Sequence, residues 1–239
     1  MASKISLPGK KGANGLGAGV WNIGPGGDPF GGPTRPNIPI LERIPLLAEA
    51  GITYIEFHDT ELPMADISNA LKIMKATGTR AGMYTPSFFT DPRFKDGAMT
   101  SNDPAIRKLA FENAKRAVDA TVMLGAKVMV FWNGREGFDF VLAKNGRDSF
   151  KRLVAGFNAV AAYALKNYGK QAPRFAIEPK PNEPRANMYM ATVGEVLYLM
   201  SRLDKSVQHL FGVNPETAHS RIAGLDYLWD IEMCLEAGK

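Results

Sequence analysis

Two pairs of polar residues have types and spacings that suit chemistry. Glu178 and Lys180 alternate in an extended, proline-rich segment beginning at the end of the predicted strand 174–178, so both side chains face the same side. Glu216 and His219 follow another short apolar run. A carboxylate beside an imidazole suits Mn²⁺, Co²⁺ or Zn²⁺, whereas carboxylate-rich sites suit Mg²⁺. Glu178 is therefore a candidate metal ligand with Lys180 as an electrophile beside it, and the alternative is a simple ion pair. Glu216 and His219 form a candidate metal site, and the alternative is two surface residues in a loop.

Further candidates lie where other predicted strands end. His58, one of three histidines, follows a short strand and is either a catalytic or a structural residue. Thr85, with the aromatic residues Trp21, Phe89 and Trp132, occupies the equivalent place after other strands. Such aromatic residues either belong to the core or form the wall of a sugar pocket.

The elements that must position these residues alternate between apolar strands and longer helical patterns. The predicted strands are 17–24, 54–58, 81–89, 127–132, 174–178 and 210–214. The predicted helices are 39–50, 66–77 with Asp66 as a cap, 104–124 between Asp103 and Gly125, 148–168, 192–203 and 226–237. Buried strands separated by helices indicate a parallel sheet with six β-α units.

Glycine spacing helps to choose between the two parallel architectures. A dinucleotide-binding fold requires G-x-G-x-x-G after its first strand, and Gly15, Gly17 and Gly19 have a different spacing. The sequence therefore favours an α/β fold of the TIM-barrel type, whose active sites lie at the carboxyl ends of the strands. Because closure takes eight strands, six units predict an incomplete barrel with open edges, and open edges invite self-association into a dimer or larger homo-oligomer.

Composition sets the remaining expectations. The chain has 239 residues, of which 45% are hydrophobic and 22% charged, and we expect one globular domain over 1–239. It contains no apolar run long enough for a membrane span and no secretory signal, and Cys234 is its single cysteine, so a cytoplasmic location is expected. The net charge of +5 is scattered rather than clustered, which argues against nucleic-acid binding.

Several blocks of sequence together resemble xylose isomerases of the shorter, actinobacterial-type class. The matching blocks are DPFG at 28–31, FHD at 57–59, FT at 89–90, FKDG at 94–97, WNGREG at 132–137, FAIEPKPNEPR at 175–185 and GVNPE at 212–216 with His219. They occur in family order and cover about residues 16 to 239, and the block at 175–185 is the most specific. The resemblance implies aldose–ketose isomerisation, xylose to xylulose and glucose to fructose, on a TIM barrel with two divalent ions.

The resemblance also implies roles for individual residues. His58 would assist opening of the sugar ring, with Glu61 in place of the family's orienting Asp. Glu178 would bind one metal, Glu216 would bridge both metals, and His219 would bind the catalytic one. Lys180 would polarise the carbonyl oxygen during a metal-assisted hydride shift. The expected pocket residues are Trp21, Thr85, Phe89 and Trp132, and Phe30 would reach into a neighbouring subunit's site.

Compared with that family, the sequence ends at Lys239, where a seventh strand would follow. We therefore expect a C-terminally truncated member that lacks the last two strands, the C-terminal arm and the metal-binding aspartates that those strands carry. Binding of Mg²⁺, Mn²⁺ or Co²⁺ should be weakened, and the isolated chain should have little or no activity on xylose. The alternative is a non-catalytic homologue that self-assembles through its open edges and binds sugar or metal weakly.

Overall fold

The computed structural model describes residues 15–26 and 32–239, so Phe30 lies outside the described residues. The strands are β1 (Leu16–Gly19), β2 (Ile52–His58), β3 (Arg80–Thr85), β4 (Val128–Trp132), β5 (Gly137–Phe138), β6 (Arg174–Glu178), β7 (Asn187–Met188) and β8 (Phe211–Val213). The helices are α1 (Ile40–Glu49), α2 (Ile67–Thr77), α3 (Pro104–Leu124), α4 (Gly146–Tyr168), α5 (Val193–Ser201), α6 (Thr217–Ile222) and α7 (Tyr227–Glu236).

Six of the strands form one parallel sheet in the order β1-β2-β3-β4-β6-β8. Helices connect consecutive strands of this sheet, which confirms the predicted α/β fold with six β-α units. The remaining strands, β5 and β7, form a short antiparallel pair of their own. Neither this pair nor α6 was expected from the sequence pattern, because two-residue strands and a six-residue helix are too short to show a period.

The described residues divide into two compact units, one of those up to 57 together with 61–82 and the other of residues 58–60 and 83–239. Within the first, the buried Arg43 of α1 organises the segment that follows β1. Its guanidinium donates to the backbone oxygens of Val20 at 3.0 Å and Ile38 at 2.7 Å, and to Asn37 Oδ1 at 2.8 Å. These bonds connect α1 to the turn after β1 and to the loop that precedes the helix.

Aromatic packing holds the second unit together. Phe131 of β4 is fully buried and has three aromatic neighbours, with ring centroids at 6.3 Å for Phe88, 4.8 Å for Phe157 and 5.7 Å for Phe175. Phe175 in turn lies 5.1 Å from Phe211 of β8. The cluster fixes α4 against three neighbouring strands, and so fixes the strand ends relative to one another.

The helix boundaries follow the expected chemistry in one case and not in another. Asp103 caps α3 by accepting from the Ala105 amide at 2.7 Å, and Gly125 ends the helix in the left-handed region at φ 71°. Asp66 precedes α2, but its side chain makes no capping hydrogen bond, because a 3₁₀ turn over Met64–Asp66 leads into the helix instead.

Two strands end earlier than the apolar pattern indicates. β1 stops at Gly19, and Trp21 lies in a 3₁₀ turn over Val20–Ile23. β3 stops at Thr85 because Pro86 has no N–H to donate to a neighbouring strand. Within the described residues, no helix is both long enough and apolar enough to cross a membrane.

Replacing Phe131 tests the role of the aromatic cluster. We expect Phe131→Ala to lower the free energy of unfolding by about 3–5 kcal/mol, because it empties a fully buried site among packed rings. The matched control, Phe140→Ala, removes a ring that is 64% exposed and should change stability by less than about 0.5 kcal/mol. Urea denaturation of both variants measures the difference, and equal losses would contradict the assignment.

Candidate functional site

Parallel pairing brings the ends of three strands together in the second unit. Trp132, the last residue of β4, is the register partner of Glu178, the last residue of β6. On the other side of β6, the Asn214 amide that follows β8 donates to the Ile177 carbonyl at 3.0 Å. The carboxyl ends of these strands therefore form one edge that carries an indole, a carboxylate and an amide.

An aromatic wall stands beside this edge. The rings of Phe89 and Trp132 meet edge to face at a centroid distance of 4.2 Å, and His58 meets Phe89 in the same manner at 5.9 Å. The structure brings together these three residues, each of which the sequence suggested as a site residue. In such a wall, a ring face can contact the C–H groups of a sugar and the imidazole can form hydrogen bonds with its O–H groups.

Glu178 is the centre of the polar contacts. Its Oε2 accepts from Asn214 Nδ2 at 2.7 Å, and its Oε1 lies 3.5 Å from His219 Nδ1. Burial raises the pKa of Glu178 to about 7, the negative charge of Glu216 adds to this, and the Asn214 hydrogen bond opposes it. A carboxyl group with this pKa can both accept and donate a proton near neutral pH.

Helix α6 sets the orientation of His219. The Glu216 side chain caps the helix by accepting from the Ala218 amide at 3.4 Å, which places His219 in the first turn. His219 Nδ1 lies 3.0 Å from the Pro179 carbonyl oxygen, and since a carbonyl only accepts, Nδ1 carries the hydrogen. Burial, with help from the charge of Lys180, lowers the pKa of His219. The neutral ring therefore keeps the lone pair on Nε2.

Lys180 is 7% exposed and is held at both ends. Its Nζ donates to Glu183 Oε2 at 3.0 Å, and its backbone N–H donates to the Met190 carbonyl at 3.3 Å. The alternative stated from the sequence, an ion pair between Lys180 and Glu178, is replaced by a pair with Glu183, a residue that the sequence reasoning did not single out. Glu183 lies three residues after Lys180, and this spacing alone does not predict an ion pair between them.

Near these strand ends, three buried polar atoms have no hydrogen-bond partner among the residues that the structure describes: Thr85 Oγ1, Trp132 Nε1 and Asn133 Oδ1. Unpartnered buried groups are costly, and such atoms commonly mark places where a ligand or water binds. Thr85 and Trp132 were expected as pocket residues, whereas Asn133 and Asn214 were not. The one sequence signal that Asn133 and Asn214 share is an amide side chain directly after a strand.

In the segment that follows β4, a fully buried carboxylate anchors a neighbouring loop. Glu136 Oε1 accepts from the Met99 amide at 2.5 Å, and Oε2 accepts from the amide of Thr100 at 3.0 Å and from its hydroxyl. Lys144 Nζ donates to the Thr100 carbonyl at 3.1 Å. Burial raises the pKa of Glu136, and the Thr100 hydrogen bonds oppose the shift.

Trp21 and Glu61 lie in the first unit, and Phe30 falls outside the described residues. Across residues 15–26 and 32–239, no group of three or more His, Cys, Asp and Glu side chains has an arrangement that could hold a metal ion. As placed, Glu178, Glu216 and His219 therefore do not fit a complete metal centre, and the expected divalent ion stays a prediction.

The raised pKa of Glu178 predicts a pH dependence of stability. Between the unfolded pKa of about 4.5 and the folded pKa of about 7, the unfolded state loses its proton first, so stability falls as pH rises through this window. Glu178→Gln removes this titration. Its stability relative to the unmodified protein should rise between pH 4.5 and 7 by about 1–3 kcal/mol, measured by urea denaturation with a chelator present. Parallel stability curves for the two proteins would contradict the shift.

Comparison with solved structures gives fold-level matches to sugar epimerases. The chain is 17% identical to an L-ribulose 3-epimerase, with a TM-score of 0.68, and the match covers 93% of this chain and 67% of that one. It is 19% identical to a D-allulose 3-epimerase from Methylomonas sp. in complex with D-allulose, with a TM-score of 0.63 and coverage of 87% and 64%. A 3-keto-D-glucoside 4-epimerase from E. coli gives 15% identity, a TM-score of 0.65 and coverage of 83% and 71%.

The chain thus spans less than two thirds of the length of the Methylomonas epimerase. At these identities the likeness shows the fold alone. A family model gives the wider assignment: the model described as xylose isomerase-like TIM barrel matches residues 44–238, which is most of the chain. The chain belongs to the xylose isomerase-like TIM-barrel family.

Proposed function

We propose that the chain acts on a sugar as an isomerase-type protein, with xylose to xylulose as the specific reaction. The observation that carries the proposal is the gathering of Glu178, His219, Trp132 and Phe89 at the carboxyl ends of neighbouring strands. In this fold those ends are where catalytic residues are found. The blocks of sequence shared with xylose isomerases and the sugar-epimerase names of the structural neighbours support the same substrate class.

The residues of the edge suit the steps that such a reaction needs. An aldose must open its ring, which requires proton transfer at the anomeric hydroxyl, and His58 is the imidazole assigned to that step. Negative charge then develops on the carbonyl oxygen, and the Lys180 ammonium is assigned to stabilise it. Trp132 and Phe89 exclude water and pack against the C–H faces of the sugar. The orienting role of Glu61 and the pocket roles of Trp21 and Phe30 remain predictions from the resemblance.

The expected divalent ion, Mg²⁺, Mn²⁺ or Co²⁺, enters the proposal only as a requirement to be tested. Within the described residues the donors are two carboxylates and one imidazole, which fall short of a complete coordination sphere. This shortfall is the specific observation that favours the second candidate function, a non-catalytic homologue that binds sugar or metal weakly.

Lys180 offers the sharpest test of the enzyme proposal. Turnover would be followed with xylose, and separately with fructose for epimerisation, each with Mg²⁺, Mn²⁺, Co²⁺ or chelator. We expect weak, metal-dependent turnover of xylose, lowered about 10²-fold or more by Lys180→Met, which nearly keeps the length of the side chain but removes its charge. Lys170→Met, on an exposed 3₁₀ turn, is the matched control and should keep full activity. Absence of turnover with both sugars and every ion would favour the non-catalytic function.

Self-association is a further part of the proposal. The last helix, α7, follows the end strand β8 and carries three exposed apolar side chains, Leu228 at 58%, Trp229 at 62% and Leu235 at 69%. Exposed apolar patches are typical of interaction surfaces.

Sedimentation velocity tests this expectation. The unmodified chain should sediment as a dimer or larger species, and Trp229→Arg should shift it toward monomer by placing a charge in the apolar surface. Leu142→Arg changes a side chain that is 81% exposed on a different segment, and it should leave the association unchanged. A monomer at all concentrations would refute the expectation.

A further inference from the structure

A cavity of about 290 Å³ lies between α3 and α4, in the second unit, and three of its eight lining residues are cations. Arg107 and Lys108 of α3 and Arg152 of α4 contribute to its wall, while Met99 and Phe111 belong to its apolar part. Neither the sequence blocks shared with the family nor the strand-end site includes these three cations.

The two arginines are fixed beside each other by the same strip of backbone. Arg107 Nη1 donates to the carbonyl oxygens of Ser101 at 2.7 Å and Asn102 at 3.0 Å. Arg152 Nη1 donates to the carbonyl oxygens of Thr100 at 3.2 Å and Ser101 at 3.3 Å. Because both guanidinium groups bind the Ser101 oxygen, they are held as close neighbours. In the described part of the chain, the Nε and Nη2 atoms of both arginines have no hydrogen-bond acceptor.

The positive charge of this cavity is not balanced locally. No carboxylate among the described residues lies within ion-pair distance of Arg107, Lys108 or Arg152. Asp96, in the adjoining loop, is engaged by Lys144 at 3.7 Å and by the Asn102 amide at 3.1 Å. Two guanidinium groups held together without a carboxylate repel each other, and a bound anion would remove that repulsion.

We propose that this cavity binds a phosphate monoester whose organic part is apolar. A guanidinium presents a planar fork of donors that matches phosphate oxygens, and two neighbouring forks with a lysine supply donors and charge for a dianion. The apolar surface of Met99 and Phe111 then takes the organic part of the ligand. A neutral sugar would leave the charge of the three cations unbalanced. The site is separate from the strand-end site and does not rest on the function proposed there.

Phenyl phosphate is a suitable probe, because it combines a phosphate monoester with an aromatic ring. In isothermal titration of the full chain at low ionic strength, we expect phenyl phosphate to bind more tightly than inorganic phosphate and phenol to show no binding. Arg107→Gln and Arg152→Gln should each weaken phenyl phosphate binding about tenfold. Arg147→Gln, an exposed arginine of α4 outside the cavity lining, is the matched control and should leave the affinity unchanged.

Lys108→Gln keeps the test valid if the arginine variants disturb the loop that they hold. Lys108 is exposed and makes no hydrogen bond within the described residues, so its replacement should weaken binding several-fold without changing the melting temperature. The proposal is overturned if phenyl phosphate does not bind at millimolar concentration, or if it binds no more tightly than inorganic phosphate. An equal loss in Arg147→Gln would also overturn it, since binding would then follow net charge rather than this cavity.

Discussion

The register of three parallel strands is the constraint on which the candidate site depends. Because Trp132 pairs with Glu178 and the Asn214 amide pairs with the Ile177 carbonyl, side chains from distant parts of the sequence reach one edge of the sheet. A shift of one residue in β6 would turn Glu178 to the opposite face and remove it from His219. The aromatic cluster around Phe131 lies along these same strands, so core packing and site geometry share a cause.

Electrostatic conditions at the site follow from burial rather than from unusual residue types. Burial raises the pKa of Glu178 to about 7 and lowers the pKa of His219, which favours the neutral imidazole. The Pro179 carbonyl fixes the hydrogen of His219 on Nδ1, and this hydrogen bond opposes the lowering of the pKa. One turn connects the two residues, because Pro179 follows Glu178 and its carbonyl oxygen orients His219. The site is therefore prepared by backbone conformation as much as by side-chain identity.

Much of the fold is visible in the sequence, because it depends on local signals. Alternation of apolar runs with helical patterns gave the six β-α units, and Asp103 and Gly125 marked both ends of α3. Contacts between residues far apart in the sequence could not be predicted from it. Nothing near Glu136 in the sequence indicates that its carboxylate accepts hydrogen bonds from the amides of Met99 and Thr100, which are more than 35 positions away. The expectation that functional residues follow strand ends pointed to Glu178 and His219. The hydrogen bonds that Asn214 donates to Glu178 and that Glu183 accepts from Lys180 are visible only in the folded structure.

The buried Glu136 has a consequence for how the loop around Thr100 exchanges its protons with solvent. Amide hydrogens in a surface loop normally exchange with water through small local fluctuations, but those of Met99 and Thr100 are bound to a carboxylate that solvent does not reach. Their exchange requires the loop to separate from the segment after β4, so it occurs only through a cooperative opening of both. The loop thus behaves dynamically as part of the sheet edge, although by secondary structure it is an irregular connection.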